Sequence, residues 1–356
     1  MIAECDLCAQ NPGTTLCKEK ANIKLAIVAG NQISSGSISL VKLSVRPLES
    51  RRCQFDVVGL GLNSVDLVAE ITGPLNANAK YPARGMNRNA GGQTATALTA
   101  CAKLEWRARY IGHFGDDENG SFSESTLIAA GVDVSACRTV PDTTNQFALI
   151  IVDQRNGDRT IVWQRDPALK MRPEDVSPKS VTSGRVLLVD CAETEAATRA
   201  ARFARKAGIP TVIDVERMRP NIDSLLSEVD VIIAAQEFPS AYTGYPDLGR
   251  AVHQLYKRFK ASLVVATLGD EGSLAVVEGR EVATSGLRVK VVDTTGAGDA
   301  FRGGFISAWL ATDGNGDVAE LLRYANAVAA LNCRGLGARG GLPTRSEVQK
   351  LLAAVS

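Results

Sequence analysis

The sequence is short of net charge. Its 356 residues include 40 lysines and arginines against 39 aspartates and glutamates, a formal charge of +1. A chain so balanced sets up no overall field to gather nucleic acid or an anionic membrane surface, so any anionic ligand must be held by a local site. Apolar runs of about 18 residues or more, the length that spans a bilayer, are missing as well. The stretch Met1–Lys20 has neither the basic part nor the apolar part of a secretory signal, and a cytoplasmic protein is expected. Histidine is nearly absent, with only His113 and His253. "CDLC" at Cys5 and Cys8, with Cys17 beyond, has the first spacing of a zinc site, but a closed site needs a fourth ligand. With so few histidines, a leader outside the fold is the expected reading. No internal repeat or low-complexity tract is evident.

What is present is enough to build a core: 45% of the residues are hydrophobic. Cys101, Cys137, Cys191 and Cys333 sit in apolar or helical surroundings, where free cysteine packs as a small hydrophobe. Residues 1–53 show no sustained period and are read as an N-terminal extension, peripheral to a domain of residues 54–356. From Phe55 onward strands and helices alternate. "FDVVGLG" reads as a buried strand, "QTATALTACAKL" as a helix, "ARYIGHFG" as a strand and "GSFSESTLIAAG" as a helix; the pattern resumes from "RVLLVDC". Such alternation predicts an α/β fold with a mainly parallel central sheet covered on both faces. Two segments break it, residues 68–84 and 146–163, the second with the turn signal "RNGD" between β-branched runs. They predict a small β-layer that closes over the carboxyl ends of the parallel strands, where open α/β sheets bind ligands.

The most informative stretch is "VVDTTGAGDAFRGGF", Val291–Phe305. It spends four glycines and two aspartates at a strand-to-helix junction, although glycine inside a helix costs about 1 kcal/mol relative to alanine. The amides of Gly296, Ala297 and Gly298, with the positive end of the helix behind them, form a cradle for an anion. Asp299 at the helix start is placed to take a proton from a hydroxyl that attacks that anion. An aspartate that merely caps a helix is common, but a cap needs one residue and this string spends seven. The string also lacks the Lys-Ser/Thr pair that completes a P-loop.

"DTTGAGDAFRGGF" resembles the carboxyl-terminal signature of the PfkB, or ribokinase-like, carbohydrate kinases, and the resemblance covers roughly Phe55–Val355. It implies a three-layer α/β/α domain with a small β-sheet lid, ATP and Mg2+ as cofactors, and phosphorylation of a hydroxyl, normally a primary one, of a sugar-like substrate. It makes Asp299 the catalytic base and the amides of Gly296, Ala297 and Gly298 the anion hole. Asp293 and Thr295 match positions that hold a monovalent cation, such as K+, in members that use one. Asp66 in "GLGLNSVD" resembles the sugar-hydroxyl aspartate. "AGGQTATALTACAKL" resembles the amino-terminal signature, with Gly91, Gly92, Gln93 and Thr96 on the substrate. "TLGDEGSLAV" resembles the nucleotide loop, with Thr267, Gly269 and Gly272, and "YANAVAALNCRGLGARGGLP" the adenine-flanking segment, with Asn326.

The chain also departs from the pattern. Thr96 stands where many members have asparagine. The Asn-x-x-Glu linked to magnesium and phosphate falls at "AAQEFPSAYTG", replaced by Ala235 through Phe238, with Glu237 displaced by two from the asparagine position. Magnesium is then expected to be held chiefly by ATP oxygens and water. "RNGDRTIVWQ" resembles the corresponding ketohexokinase segment, while Thr96 and Arg159 are also seen in members that act on anionic sugars, such as sulfofructose kinase and the PfkB-type phosphofructokinases; Arg159 is the candidate anion contact, and a ketohexose, a sugar acid, a phospho-sugar and a sulfo-sugar all stay open as the substrate. The alternatives left open are a nucleoside kinase and a kinase-like protein that binds without catalysis. A homodimer through the β-lid is expected, with a contact that includes Phe147, Leu149, Ile151, Ile161 or Trp163.

Overall fold

A computed structural model describes residues 40–155 and 159–355. The first strands are β1 (Phe55–Leu60), β2 (Ser64–Ile71), β3 (Gly85–Gly91), β4 (Ala108–Ile111) and β5 (His113–Gly115). They are followed by β6 (Val132–Asp133), β7 (Arg138–Val140), β8 (Phe147–Asp153) and β9 (Arg159–Gln164). The second half adds β10 (Gly184–Asp190), β11 (Thr211–Val215), β12 (Val231–Ala235), β13 (Leu263–Thr267), β14 (Gly272–Val277) and β15 (Arg280–Ser285).

Nine of these strands form one sheet in the order β15-β14-β13-β12-β11-β10-β1-β4-β6, parallel except for the antiparallel edge of β14 and β15. The central strands are buried along their whole length, as in "FDVVGL" and "GRVLLVD", which is why they read as near-continuous apolar runs. Apolar side chains fill both faces. On one, Leu187, Val189 and Ile213 meet the small residues Ala196, Ala200 and Ala204 of helix Thr194–Lys206. On the other, Val57, Tyr110 and Val186 meet Leu98, Phe305 and Trp309 from helices Gln93–Lys103 and Ala297–Ala311. This is the expected three-layer α/β/α arrangement. Among the described residues no helix is long and apolar enough to cross a membrane.

Strand order reverses between β1 and β10, since the chain builds outward from β1 through β4 and β6 on one side and from β10 to β15 on the other. Such a switch point opens a crevice at the carboxyl ends of the strands. Asp190, at the end of β10, stitches it: one carboxylate oxygen accepts from the Leu62 amide (2.7 Å) and the Thr94 hydroxyl (2.7 Å), the other from the Ala192 amide (2.9 Å).

Over the crevice lies a four-stranded sheet in the order β3-β2-β8-β9. The antiparallel pair β8–β9 follows the turn signal, although residues 156–158 of that turn lie outside the described residues. The first lid segment differs from the expected 68–84. Residues 72–84 are loop, because Pro74 and Pro82 interrupt "GPLNANAKYP" and remove ladder donors. The partner of β2 is instead β3, whose polar "NRN" gave no strand signal because this edge strand is largely exposed.

The expected extension also differs. Residues 1–39, with Cys5, Cys8 and Cys17, lie outside the described residues, but residues 40–53 pack against the domain. Leu43 is 4% exposed within the core around Val57 and Trp309. The Val41 amide donates to Asp317 Oδ1 (3.0 Å) and its carbonyl accepts from the Val318 amide (2.8 Å), while the Leu48 carbonyl accepts from Arg185 Nε (2.6 Å). The packed body therefore starts upstream of residue 54. Removing a buried leucine typically costs about 2–5 kcal/mol, so deletion of residues 1–53 is expected to lower the Tm by roughly 4–10 °C. An unchanged Tm in calorimetry would show that this strap contributes nothing.

Candidate active site

The opening of helix Ala297–Ala311 is dictated by its glycines. Gly296 has φ 73°, and a Cβ there would lie 2.3 Å from the Ala338 carbonyl oxygen, so only glycine fits. The Ala297 amide closes this turn onto the Thr294 carbonyl (3.2 Å), which leaves the following first-turn amides directed out of the helix end. Gly303 and Gly304 explain the remaining glycine cost: a Cβ on Gly303 would lie 2.7 Å from the Ala97 carbonyl oxygen, and one on Gly304 3.0 Å from Ala325 Cα. Three helices thus meet at close range and hold this glycine-built helix start against the crevice.

Asp299 lies in the first helical turn and keeps partial access to the crevice. Burial, reinforced by the nearby Asp214 carboxylate and opposed by Arg302, holds its acid well above the ordinary carboxylate range. Asp214, in β11, is pushed up to about 7 by burial, with Arg302 opposing and Asp190 and Glu216 adding to the rise. Arg302, one turn beyond Asp299, sits 2.8 Å from Asp214 Oδ1, off the line of a good hydrogen bond, and donates to the Ile233 carbonyl (3.3 Å). Both Arg302 and Asp214 are almost fully buried. Sequence reasoning did not single out this pair, although an arginine on an otherwise apolar helix face was the available sign.

Asp66 on β2 accepts from the Ser64 hydroxyl (3.1 Å), and burial raises its acid to about 6. Gly91 packs so closely that a Cβ there would lie 2.2 Å from Asp66 Oδ2, and Gly92 has φ 91° with Asn63 Cα directly beneath it. The hydroxyl of buried Thr96 is engaged by Arg339, whose Nε lies 3.3 Å away. The same guanidinium donates to the Gly91 carbonyl (2.7 Å) and the Thr126 hydroxyl (3.4 Å). Burial lowers the Arg339 pKa to about 10, against the attraction of Asp299 and Asp66. Arg339, embedded in "GLGARGGLP", is thus a site residue that the sequence reading passed over.

Other expected residues have protein partners. Asp293 Oδ1 accepts from the Thr295 amide (2.8 Å) and hydroxyl (2.7 Å), and its Oδ2 from the Gly337 amide (2.8 Å), so this pair ties two loops of the site together. Thr267 ends β13 and donates to the Ala234 carbonyl (3.3 Å), while Gly269 and Gly272 take positive φ in the loop that follows. The side-chain amide of Asn326 donates to the Thr284 hydroxyl (3.0 Å) and the Ser285 carbonyl (3.4 Å), joining its helix to the edge hairpin. Ala235 ends β12, Phe238 is buried in the core against Tyr242, and Glu237 is exposed, so the Asn-x-x-Glu position is occupied by packing. No group of three or more potential metal ligands occurs among the described residues. The side chain of Arg159 lies outside the described residues; its backbone opens β9 opposite Val152.

Under the lid is a cavity of about 440 Å3, within the range of roughly 300–1,000 Å3 usual for small-molecule sites. Gln93, Ile161, Trp163, Arg165, Glu216 and Arg219 are among its walls. Gln93 also lies beside Asp214 and favours its ionised form, so the cavity adjoins the floor that carries Asp214, Arg302 and Asp299.

Comparison with known proteins agrees with this arrangement. The chain matches the pfkB family carbohydrate kinases over residues 54–345. It is 29% identical to an ATP-dependent ribose-1-phosphate kinase of Halopiger xanaduensis over 83% of this chain and 98% of that protein. It is 30% identical to a fructokinase of Klebsiella pneumoniae, over 74% and 91%. The structure of Arabidopsis thaliana ribokinase complexed with ribose and ATP superposes with a TM-score of 0.72 at 26% identity, covering 84% of this chain and 98% of that one. Ribokinase from Thermotoga maritima shares the fold with a TM-score of 0.73 at 20% identity, over 84% and 99%. A glycine-built helix start with a carboxylate in its first turn and a lidded cavity fit these likenesses, and the match over residues 54–345 places the chain in the pfkB family of carbohydrate kinases, as an ATP-dependent sugar kinase.

Proposed function

We propose that the protein transfers the γ-phosphoryl group of ATP to a hydroxyl, a primary one, of a sugar or sugar derivative, with Asp299 as the general base. The observation that carries this reading is the placement of Asp299 at the anion-binding end of its helix, in surroundings that strengthen it as a base. The acceptor oxygen attacks the γ-phosphorus, its proton passes to Asp299, and the bond to the ADP oxygen breaks. The Gly296 and Gly298 amides hold the charge on the transferring group; the Ala297 amide, expected to join them, is already engaged by the Thr294 carbonyl. Asp66, beside Gly91 and Gly92, orients the sugar by accepting from its hydroxyls, and Gln93 and Arg339 line the same side of the site. The loop of Thr267, Gly269 and Gly272 receives the nucleotide. Magnesium, when bound, would neutralise phosphate charge; with Phe238 in the core at the Asn-x-x-Glu position, its ligands would be drawn mainly from ATP and water. A potassium ion would draw on the remaining lone pairs of Asp293 and Thr295.

The outer face of the lid supports a homodimer. Phe147, Leu149 and Ile151 alternate along β8 and share a face with Leu67 of β2. Ile161 and Trp163 line the cavity instead, which takes them out of the expected contact. Light scattering at low micromolar concentration is expected to give a dimer; a monomer with full activity would remove this assembly.

Asp299→Asn is expected to lower kcat by about 10²- to 10⁴-fold while ATP binding persists. Near-normal turnover would reject the assignment. The base acts when deprotonated, and its folded pKa is raised, so kcat/KM should rise with pH through a limb above the ordinary carboxylate value of about 4. Loss of the Arg302 cation in Arg302→Met favours protonated Asp299 and should move this limb upward; Asp214→Asn removes a neighbouring anion and should move it downward. A limb that stays in place in both variants, each checked by its melting curve, would show that these groups do not set the base.

A further inference from the structure

Four cationic side chains line the lid cavity: Arg165, Lys170, Arg217 and Arg219. Three have a carboxylate at ion-pair distance, Arg165 with Glu193, Lys170 with Glu195 and Arg217 with Glu216. Arg219 has none among the described residues, and its Nε is enclosed without a hydrogen-bond partner. A guanidinium offers five donors and no acceptor, and an enclosed charged donor left unpaired is costly. The Arg219 side chain lines the cavity, and a guanidinium with no carboxylate at ion-pair distance there is free to pair with an anion that a ligand brings.

The backbone holds Arg219 in place. It follows β11 by four residues, the Arg219 carbonyl accepts from the Ile222 amide (3.3 Å), and Asn221 takes a left-handed φ of 61° after Pro220. Across the cavity, Ile161 and Trp163 are 50% and 54% exposed, an apolar wall fit to cover the C–H face of a sugar ring. The walls thus call for a small molecule with one apolar face and one anionic group. The expected nucleotide loop follows β13, which is separated from β11 by β12, so Arg219 belongs to the acceptor's side of the crevice.

We propose that the acceptor sugar carries an anionic group of its own, a phosphate or a carboxylate, bound under the lid by Arg219 and separate from the phosphoryl group being transferred. This rests on the kinase reading above. It also moves the anion contact from Arg159 in the lid to the loop after β11.

The test measures ADP release from ATP with fructose, fructose 1-phosphate, fructose 6-phosphate, ribose, ribose 1-phosphate and gluconate. The wild-type protein is expected to prefer an anionic acceptor over its neutral parent by tenfold or more in kcat/KM, and the preferred member separates phosphate from carboxylate. Arg219→Ala should raise the KM for that acceptor about 10- to 100-fold with the KM for ATP unchanged, and Arg219→Lys should recover part of the loss. A neutral sugar that matches or exceeds every anionic one, or an Arg219→Ala effect confined to ATP, would overturn the proposal. If no sugar supports ADP release, the kinase reading fails, and the anion site is still decided by tryptophan fluorescence. The same sugar phosphates and gluconate are titrated without ATP, with Trp163→Phe as the control for the reporting ring. A saturable change that weakens at least tenfold in Arg219→Ala supports the site, and equal curves in the two proteins overturn it.

Discussion

The crevice is governed by an imbalance of buried charge. At the carboxyl ends of β10 and β11 and the start of one helix, Asp190 and Glu216 raise the acids of Asp214 and Asp299, Asp214 raises that of Asp299 further, and Arg302 opposes the rise in both. Carboxylates so close cannot all ionise freely in surroundings of low polarity. Asp214 and Asp299 therefore retain protons to higher pH than is usual for aspartate. The arrangement exists because a switch point in strand order gathers strand ends, and because Gly303 and Gly304 let the helix carrying Asp299 and Arg302 press onto its neighbours. Burial, packing and acid–base chemistry are here one constraint.

Much of this was legible in the sequence because local signals agreed with the fold. Buried parallel strands announced themselves as apolar runs, and "DTTGAGD" combined a turn, a helix start and a carboxylate in one string. Features that escaped depend on contacts between distant segments. Strand β3 is polar because it lies at an exposed edge, so the Asn-Arg-Asn sequence carried no alternation to detect. Arg339 reaches Gly91 and Thr96 across more than 240 residues of chain, and its role as their partner is written in no neighbouring residue. The lost Asn-x-x-Glu was visible as an absence, but that Phe238 fills the core there became clear only from packing.

The lid shows how one small sheet separates two faces by residue parity. Along β8 the even-numbered Ala148 and Ile150 pack with Val68 on the site-facing side, while odd-numbered residues turn to the opposite face. A shift of register by one residue would exchange these faces. The Asp66–Ala148 and Ala148–Trp163 pairings therefore fix a buried carboxylate, a small spacer and the aromatic wall of the cavity in one row.

The strap of residues 40–53 has a consequence for the order of assembly. Val41 bonds to Asp317, 276 positions later, and Leu48 to Arg185. During synthesis these residues leave the ribosome before any other part of the described body, yet the surfaces that receive them do not exist until most of the chain has emerged. The earliest packed residues to be made are thus among the last that can dock, and the strap acts as a clasp that closes only on a finished domain.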